Sequence, residues 1–179
     1  MNISIIGYGK MGRIYDSLLN ASCIVDSLPV HNRFYFTYID EFINYHPTSD
    51  LVIISTPSNT HHEIAKKALL SGYNVLCEKP ICLSSIQAKE LEKIATKKNL
   101  ILYQSTLERF NPLIKFFGKH IKSHDIERVE SYRYGVRPQR YYTDDPVYDL
   151  GIHDVDLCFY LFKREVRWTI NVGYGQPRR

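Results

Sequence analysis

The stretch GYGKMG, residues 7–12, limits what this chain can fold into more than any other feature of its sequence. It follows the short apolar run Ile3–Ile6 and opens a segment with apolar residues at helical spacing. Where G-x-G-x-x-G joins a strand to a helix, the first glycine permits a tight turn, the second lets the backbone approach a pyrophosphate, and the third lets the helix pack on the strand. The helix N-terminus then presents free N–H groups to an anion. The residues predicted to form this cradle are Gly7, Tyr8, Gly9, Lys10, Met11 and Gly12.

Short apolar runs alternate with helical segments up to about residue 105. Continuous apolar strands separated by helices of about a dozen residues are typical of parallel strands covered on both faces. Because crossover connections are right-handed, the pattern predicts an α/β fold with a doubly wound parallel sheet of Rossmann type. The predicted strands are 3–6, 23–25, 51–54, 75–77 and 100–103, and the predicted helices after the first are 61–70 and 84–95, the latter capped by Ser84 or Ser85.

The regular alternation of apolar runs and helical segments ends in the last third of the chain. Helices are predicted at 108–122, broken early by Pro112, and at 149–162. Alternating residues predict strands at 127–136 and 165–172. We therefore predict a dinucleotide-binding Rossmann domain over residues 1–120 and a partial, incomplete α+β domain for substrate binding or oligomerisation over residues 121–179.

Charge and cysteine usage exclude several classes of function. The net charge of +4 comes from 23 basic and 19 acidic residues that are spread along the chain, so no basic stripe for nucleic acid is present. The 4 cysteines form no C-x-x-C and no zinc spacing, which predicts that no metal is bound. The first residues do not resemble a signal peptide, and no apolar run approaches membrane-spanning length. The sequence predicts a cytoplasmic protein that binds neither nucleic acid nor membrane.

Asp26 closes the second apolar run at about the distance from the glycines at which a carboxylate binds a ribose 2′-hydroxyl. A carboxylate at this place repels a 2′-phosphate, and no arginine follows before Arg33. The sequence therefore predicts NAD as the cofactor in preference to NADP, with Ser27 beside the ribose. The alternative is a solvated aspartate at the end of a strand.

Polar residues follow the third and fourth strands at their carboxyl ends, where ligands bind in open α/β sheets. For Asn59 and Thr60 an ordinary helix-cap role stays open. The adjacent pair His61-His62 does not share a helix face, which argues against a metal there. The cofactor contacts predicted at these strand ends are Ser55, Thr56, Pro57, Asn59, His61 and Glu78.

Lys79 stands between Glu78 and Pro80 at the end of the fourth strand. Proline disfavours helix at the residue before it, so the backbone at Lys79 is restricted. A lysine here is either a solvated turn charge or a group that polarises an oxygen at the cofactor edge. We favour the second interpretation, because the strand end faces the predicted cofactor.

The segment DLGIHDVDL, residues 149–157, is a second dense cluster of ionisable groups. On an α-helix Asp149 and His153 are one turn apart, and Asp156 lies beside His153 on the other side. A carboxylate near an imidazole orients it for general acid–base chemistry. Aspartates are also favoured at the N-terminus of a surface helix without any catalytic role, and the spacing by itself leaves both interpretations open.

Taken together, GYGKMG, the segment 55–80 ending in EKP, ERFNP at 108–112 and DLGIHDVDL resemble the Gfo/Idh/MocA family. The resemblance implies hydride transfer between a nicotinamide and a sugar, polyol or related alcohol. Lys79 and His153 match its motif lysine and histidine, and Asp149 matches the acidic residue before that histidine. In this mechanism His153 exchanges the hydroxyl proton while Lys79 stabilises developing negative charge on the oxygen.

The local sequences ERFNP and GVRPQR, residues 135–140, resemble those of the branch that acts on nucleotide-linked amino sugars, such as UDP-N-acetylglucosamine 3-dehydrogenases. The substrate-side candidates that this resemblance implies are Arg109, Asn111 and Arg140. Arginine is suited to a diphosphate because its planar fork binds phosphate oxygens in pairs.

Members of the family continue past the length of this chain, with a large second sheet that commonly forms the subunit interface. The resemblance therefore implies a homo-oligomer or an additional partner chain that covers the C-terminal residues. The main alternative function is a truncated, non-catalytic nucleotide-binding or regulatory module.

Overall fold

The computed structural model describes residues 1–45, 47–121, 126, 128–132, 147–163 and 169–170. By the packing of its Cα atoms the chain divides into two compact units, Met1–Ser105 and Thr106–Arg179. The domain boundary predicted at residue 120 stays a prediction.

The first unit is built on a 6-stranded sheet in which each neighbouring pair is parallel. The strand order is β3-β2-β1-β4-β5-β6, so the order reverses between β1 and β4. This is the doubly wound arrangement predicted from the alternation of strands and helices. The strands are β1 (Ile3–Ile6), β2 (Cys23–Val25), β3 (Tyr35–Phe36), β4 (Leu51–Ile54), β5 (Val75–Cys77) and β6 (Leu102–Gln104).

Both faces of the central strands are buried, which explains why these strands are apolar except at Ser4. Ile5 pairs with Ile53 and Ile6 with Ile54 in register, and all four side chains are at most 2% exposed. Ile5 and Ile53 belong to a small apolar cluster on one face, and Ile6 and Ile54 to a larger cluster on the other. Because successive side chains of a strand point to opposite faces, one short strand contributes to both clusters.

The helices of the first unit include one with the N-cap residue that the sequence predicts. The Ser84 side chain caps α4 by accepting a hydrogen bond from the N–H of Gln87 at 3.3 Å, and Asn99 ends the helix in the left-handed conformation. The edge strand β3 and the short helix α2 were not predicted, because their aromatic residues show no clear period. The helices are α1 (Lys10–Leu19), α2 (Ile39–Tyr45), α3 (His61–Leu70) and α4 (Ser85–Lys98).

Hydrogen bonds to a buried carboxylate hold α1 in place, and some apolar side chains of this helix are exposed. Leu18 is 75% exposed, whereas Asp16 is buried. The Asp16 carboxylate accepts hydrogen bonds from the Tyr8 hydroxyl at 2.6 Å, from the Arg33 guanidinium at 2.5 Å and from the Ala21 N–H at 3.0 Å. A buried carboxylate needs such donors to replace water. Asp16 therefore ties α1 to the glycine loop and to the segment before β3.

The regular elements that the structure describes in the second unit are all helices. Pro112 is the first residue of α5 (Pro112–His120), as expected from its missing N–H. A π-helical turn, Val147–Gly151, leads into α6 (Ile152–Phe162), so the predicted helix at 149–162 is confirmed with a widened first turn. Residues 128–132 of the predicted strand 127–136 are not in a strand, nor are residues 169–170 of the predicted strand 165–172. The other residues of both predicted strands lie outside the described part.

The described residues contain neither a membrane-spanning helix nor a cluster of metal-binding side chains. No helix there has both the length and the apolar character needed to cross a bilayer. The same residues contain no group of 3 or more histidine, cysteine, aspartate or glutamate side chains placed to hold a metal ion.

Candidate functional site

Two glycines of the loop between β1 and α1 are required by close packing. Gly7 has a φ of +93°, and a Cβ there would lie 2.7 Å from the backbone nitrogen of Thr56. A Cβ on Gly12 would lie 2.0 Å from the carbonyl oxygen of Gly7. The Ser55 hydroxyl, at the end of β4, donates to that same carbonyl at 2.8 Å. The loop is therefore held against the ends of both β1 and β4, which flank the point where the strand order reverses.

The middle glycine faces open space. A Cβ on Gly9 would meet nothing within 4 Å. Gly9 is the N-cap residue of α1, and no side chain caps this helix start. The first N–H groups of a helix lack intrahelical acceptors and attract anions. The loop thus combines a tight turn, open space at its centre and an uncapped helix N-terminus, which is the form that a pyrophosphate cradle needs.

Asp26 lies beside the cradle with its carboxylate already oriented. Its Oδ2 accepts from the N–H of Tyr8 at 2.5 Å and its Oδ1 from the N–H of Leu28 at 2.8 Å. A carboxylate has about four acceptor positions, so both oxygens can still accept from a ligand hydroxyl. Arg33 is the first arginine after Asp26, and its guanidinium is engaged by Asp16 and by the carbonyl oxygen of Ala21. The guanidinium of Arg33 is therefore ion-paired with the Asp16 carboxylate.

His61 bridges two loops at the carboxyl edge of the sheet. It is 1% exposed, and its Nδ1 lies 2.7 Å from the carbonyl oxygen of Pro80 while its Nε2 lies 2.8 Å from that of Thr56. The Lys79-Pro80 peptide bond is cis. The Thr60 hydroxyl donates to the carbonyl oxygen of Pro57 at 2.7 Å and lies 2.8 Å from Thr56 Oγ1. Thr60 makes no side-chain cap for α3, so the open alternative of a helix cap does not hold for this residue.

Glu78 follows β5, and a side chain of α1 holds its carboxylate in place. Its Oε1 accepts from the Tyr15 hydroxyl of α1 at 2.6 Å, and the same hydroxyl lies 3.0 Å from Ser105 Oγ. Its Oε2 accepts from the N–H of Lys79 at 3.3 Å. Burial and the hydrogen bond to Glu78 raise the pKa of Tyr15 to about 12. Sequence reasoning missed Tyr15, although it lies one helical turn beyond Gly12 and therefore on the face that packs against the sheet.

The remaining predicted cofactor residues differ in exposure. Pro57, between Ser55 and His61, is exposed, and Met11 is half-buried. The others that are exposed are Gly9, Lys10, Ser27 and Asn59. Their predicted contacts with the cofactor stay predictions.

In the second unit the predicted residues divide between α5 and α6. His153 lies in the first turn of α6, and Asp149 lies in the π turn before it, so their spacing is not that of a regular α-helix. Asp156, expected beside His153, accepts from Arg109 through both oxygens: Nε to Oδ2 at 2.8 Å and NH2 to Oδ1 at 2.5 Å. The Arg109 guanidinium also lies over the Tyr160 ring at 5.3 Å. Arg109 thus links the turn before α5 to α6.

The other predicted substrate residues receive less support from the described structure. The Asn111 side chain caps α5 by accepting from the N–H of Leu113 at 3.0 Å. Arg140 lies outside the described residues. Substrate binding by Arg109, Asn111 and Arg140 therefore stays a prediction.

The bridge made by His61 is expected to stabilise the first unit. His61→Leu keeps a similar volume but leaves the carbonyl oxygen that accepts the ring N–H without its donor, and an unsatisfied buried polar group costs about 1–3 kcal/mol. We expect the midpoint of thermal unfolding to fall by about 2–12 °C, at roughly 2–4 °C per kcal/mol for a chain of this size. The exposed His31 offers a control, and His31→Leu should unfold like the wild type. Equal midpoints for the two variants would contradict the bridge.

Known proteins resemble this chain in sequence and in structure. YhhX of Escherichia coli (strain K12), named an uncharacterized oxidoreductase, is 34% identical over 148 residues, which cover 78% of this chain and 43% of YhhX. The crystal structure of yhhX superposes with a TM-score of 0.73 at 28% identity and covers 92% of this chain and 54% of that one.

Two further relatives have named activities. The scyllo-inositol 2-dehydrogenase (NADP(+)) IolW of Bacillus subtilis (strain 168) is 25% identical, covering 96% of this chain and 54% of IolW. The UDP-N-acetylglucosamine 3-dehydrogenase of Acidithiobacillus ferrooxidans (strain ATCC 23270) is 31% identical, covering 63% of this chain and 36% of that enzyme. The chain thus spans about half the length of such relatives, or less.

The family comparison agrees with the motifs. Residues 1–106, more than half of the chain, match the Gfo/Idh/MocA family, described as an oxidoreductase family with an NAD-binding Rossmann fold. This matched region contains the glycine loop, Asp26, His61 and Lys79. The chain therefore belongs to the Gfo/Idh/MocA family of oxidoreductases.

Proposed function

We propose that this chain is an NAD-dependent dehydrogenase that acts on a hydroxyl carbon of a sugar, a polyol or a nucleotide sugar. The observation that carries the proposal is the cradle itself. Gly7 and Gly12 are packed against backbone atoms, whereas Gly9 faces open space at an uncapped helix N-terminus. Among the three glycines of this loop, only the one that a pyrophosphate would approach has open space where a Cβ would stand. That pattern fits a bound dinucleotide better than a loop shaped by packing alone.

In this proposal the cofactor lies along the carboxyl edge of the sheet. The glycine loop and the start of α1 would hold the pyrophosphate, and Asp26 would accept from the adenosine ribose. Ser55, Thr56 and Glu78 would line the nicotinamide side. When bound, the nicotinamide supplies the acceptor or donor of a hydride.

NAD is proposed over NADP because of the charges around Asp26. A 2′-phosphate would bring about two negative charges to an oriented carboxylate, and Asp16 holds the guanidinium of Arg33. We expect NADH to bind about tenfold or more tightly than NADPH in a fluorescence titration. Asp26→Ala should weaken NADH binding and bring the two dissociation constants within about threefold of each other.

The control for Asp26→Ala is Glu92→Ala, which removes one negative charge from an exposed position on α4. It should leave both dissociation constants unchanged. Equal affinity of the wild type for NADH and NADPH would contradict the assignment of Asp26. Binding of neither cofactor would contradict the proposed function.

The chemical roles are assigned by the family motifs that the chain carries. We propose that Lys79 stabilises negative charge on the substrate oxygen and that His153 takes or gives the hydroxyl proton, with Asp149 as its acidic neighbour in sequence. Lys79 lies two residues after the end of β5 and is half-buried, which supports a defined position over a solvated turn charge. His153 lies in the first turn of α6.

The substrate class follows the named relatives. One relative is a scyllo-inositol 2-dehydrogenase and another is a UDP-N-acetylglucosamine 3-dehydrogenase. We therefore propose scyllo-inositol and UDP-N-acetylglucosamine as the first two probe substrates. Cofactor binding without turnover of either probe would favour a non-catalytic nucleotide-binding module.

Partner and location are also part of the proposal. We propose that the chain works as a homo-oligomer or with an additional chain, which analytical ultracentrifugation of the purified protein would test. All 4 cysteines are free thiols, the state that the reducing cytoplasm maintains. A cytoplasmic location is proposed on that support.

A further inference from the structure

We propose that Tyr15 is a positioning residue that acts through Glu78 to hold the nicotinamide side of the site in its binding shape. The inference rests on the proposed function, because it concerns the same cofactor site. Tyr15 lies on α1, whereas Glu78 follows β5, two strands away from β1 in the sheet. The Tyr15 side chain therefore extends from the helix that begins at the glycine loop to the carboxyl end of β5.

The Tyr15 hydroxyl joins three elements. It donates to Glu78 Oε1 at 2.6 Å and lies 3.0 Å from Ser105 Oγ, which follows β6. The N–H of Ser105 donates to the carbonyl oxygen of Cys77 at 2.7 Å, which ties the end of β6 to the end of β5. One phenol group therefore connects α1 to the carboxyl ends of β5 and β6.

The hydrogen bond from Tyr15 to Glu78 is stronger than one between two neutral groups. Because its pKa is raised to about 12, the Tyr15 hydroxyl keeps its proton over the whole range in which such an enzyme works. A neutral hydroxyl that donates to a carboxylate forms a charge-assisted bond, roughly twice as strong as a neutral pair. The second oxygen of Glu78 accepts from the N–H of Lys79, and the N–H of Glu78 donates to the carbonyl oxygen of Ile54 at 2.8 Å. The carboxylate is therefore oriented before any ligand arrives.

The strand order indicates which half of a dinucleotide this carboxylate serves. β2, which leads to Asp26, lies on one side of β1, and β4 and β5 lie on the other side. A dinucleotide with its pyrophosphate at the glycine loop and its adenosine ribose at Asp26 extends its nicotinamide half toward β4 and β5. Loss of the Tyr15 hydroxyl should therefore weaken contacts to the nicotinamide half alone.

The test compares NADH with ADP, which lacks both the nicotinamide and its ribose. Tyr15→Phe removes only the hydroxyl, and we expect it to weaken NADH binding about five- to tenfold while ADP binding stays within about twofold of the wild type. The control is Tyr38→Phe, at a tyrosine that is 62% exposed in the same unit, and it should change neither dissociation constant. Isothermal titration of each variant gives both constants.

A double-mutant cycle tests whether Tyr15 acts through Glu78. Glu78→Ala should give the same NADH-selective loss, and adding Tyr15→Phe to it should change the NADH dissociation constant no further. Additive losses would overturn the inference. Unchanged NADH binding in Tyr15→Phe, or equal weakening of NADH and ADP, would overturn it as well, since equal weakening indicates a general loss of structure.

The same titrations separate this inference from the function on which it rests. A wild-type protein that binds neither ligand contradicts the cofactor site and removes the inference with it. A wild-type protein that binds both ligands, together with a Tyr15→Phe variant that loses nothing, contradicts only the role of Tyr15.

Discussion

Gly12→Ala is expected to destabilise the protein severely. The new Cβ would lie 2.0 Å from the carbonyl oxygen of Gly7 and 3.1 Å from its carbonyl carbon, and both are backbone atoms that no rotamer change can move aside. Helix α1 would have to shift away from the loop, which would strain the polar contacts of Asp16. Overpacking of this kind costs about 3 kcal/mol or more, equivalent to a fall of about 6–12 °C in the thermal midpoint at 2–4 °C per kcal/mol. Differential scanning calorimetry measures it directly.

Gly9→Ala is the matched control for this substitution. Its Cβ would meet no atom within 4 Å, so the free protein should unfold close to the wild-type temperature. The same methyl group would occupy the space that the proposed pyrophosphate enters, and we expect NADH binding to weaken by about tenfold or more. A Gly12→Ala variant as stable as Gly9→Ala would contradict the close packing of the loop. Wild-type affinity in Gly9→Ala would contradict the cradle.

Lys79→Met is expected to abolish most of the turnover while leaving cofactor binding nearly intact. Methionine keeps much of the lysine side-chain volume but removes its ammonium group, which in the proposed function stabilises charge that develops on the substrate oxygen. Removal of one such electrostatic group lowers kcat about 10²–10³-fold in comparable sites. The NADH dissociation constant should change by no more than about threefold, because the effect lies in the transition state. Steady-state rates with the two probe substrates and NADH titrations check both parts.

The control for the lysine is Lys89→Met on the exposed surface of α4, which should retain wild-type turnover and binding. Wild-type turnover in Lys79→Met would remove the polarising role and leave the interpretation as a turn charge. A large loss of NADH affinity together with turnover would instead assign Lys79 to cofactor binding.

The first hundred residues could be predicted from the sequence because their signals are local. Each buried strand is a short continuous apolar run, and the helices end at residues such as Asn99 that favour the left-handed conformation. The glycine motif was correctly placed between β1 and α1. The strand β3 and the helix α2 were missed because Tyr35–Phe36 is too short to show alternation, and Ile39–Tyr45 spans barely two turns.

The candidate site was predicted only in part. Lys79 and His61 were singled out because they lie shortly after buried strands, yet the sequence contained no sign that His61 joins the carbonyl oxygens of Thr56 and Pro80. Arg109 was assigned to substrate, whereas the structure engages its guanidinium with Asp156. In each case the partner is distant in sequence, and local patterns cannot pair residues that meet only after folding.

The sequence by itself determined the fold, the family and the place of the cradle, since these depend on local periodicity and on glycines that only a particular turn accepts. The tertiary structure decided which polar groups hold one another: Asp16 with Arg33, and Tyr15 with Glu78. These pairs join residues 17 and 63 positions apart, and their geometry is set by how α1 packs against the sheet. A hydrogen bond requires about 3 Å between its atoms, and only the folded chain brings such residues to that distance.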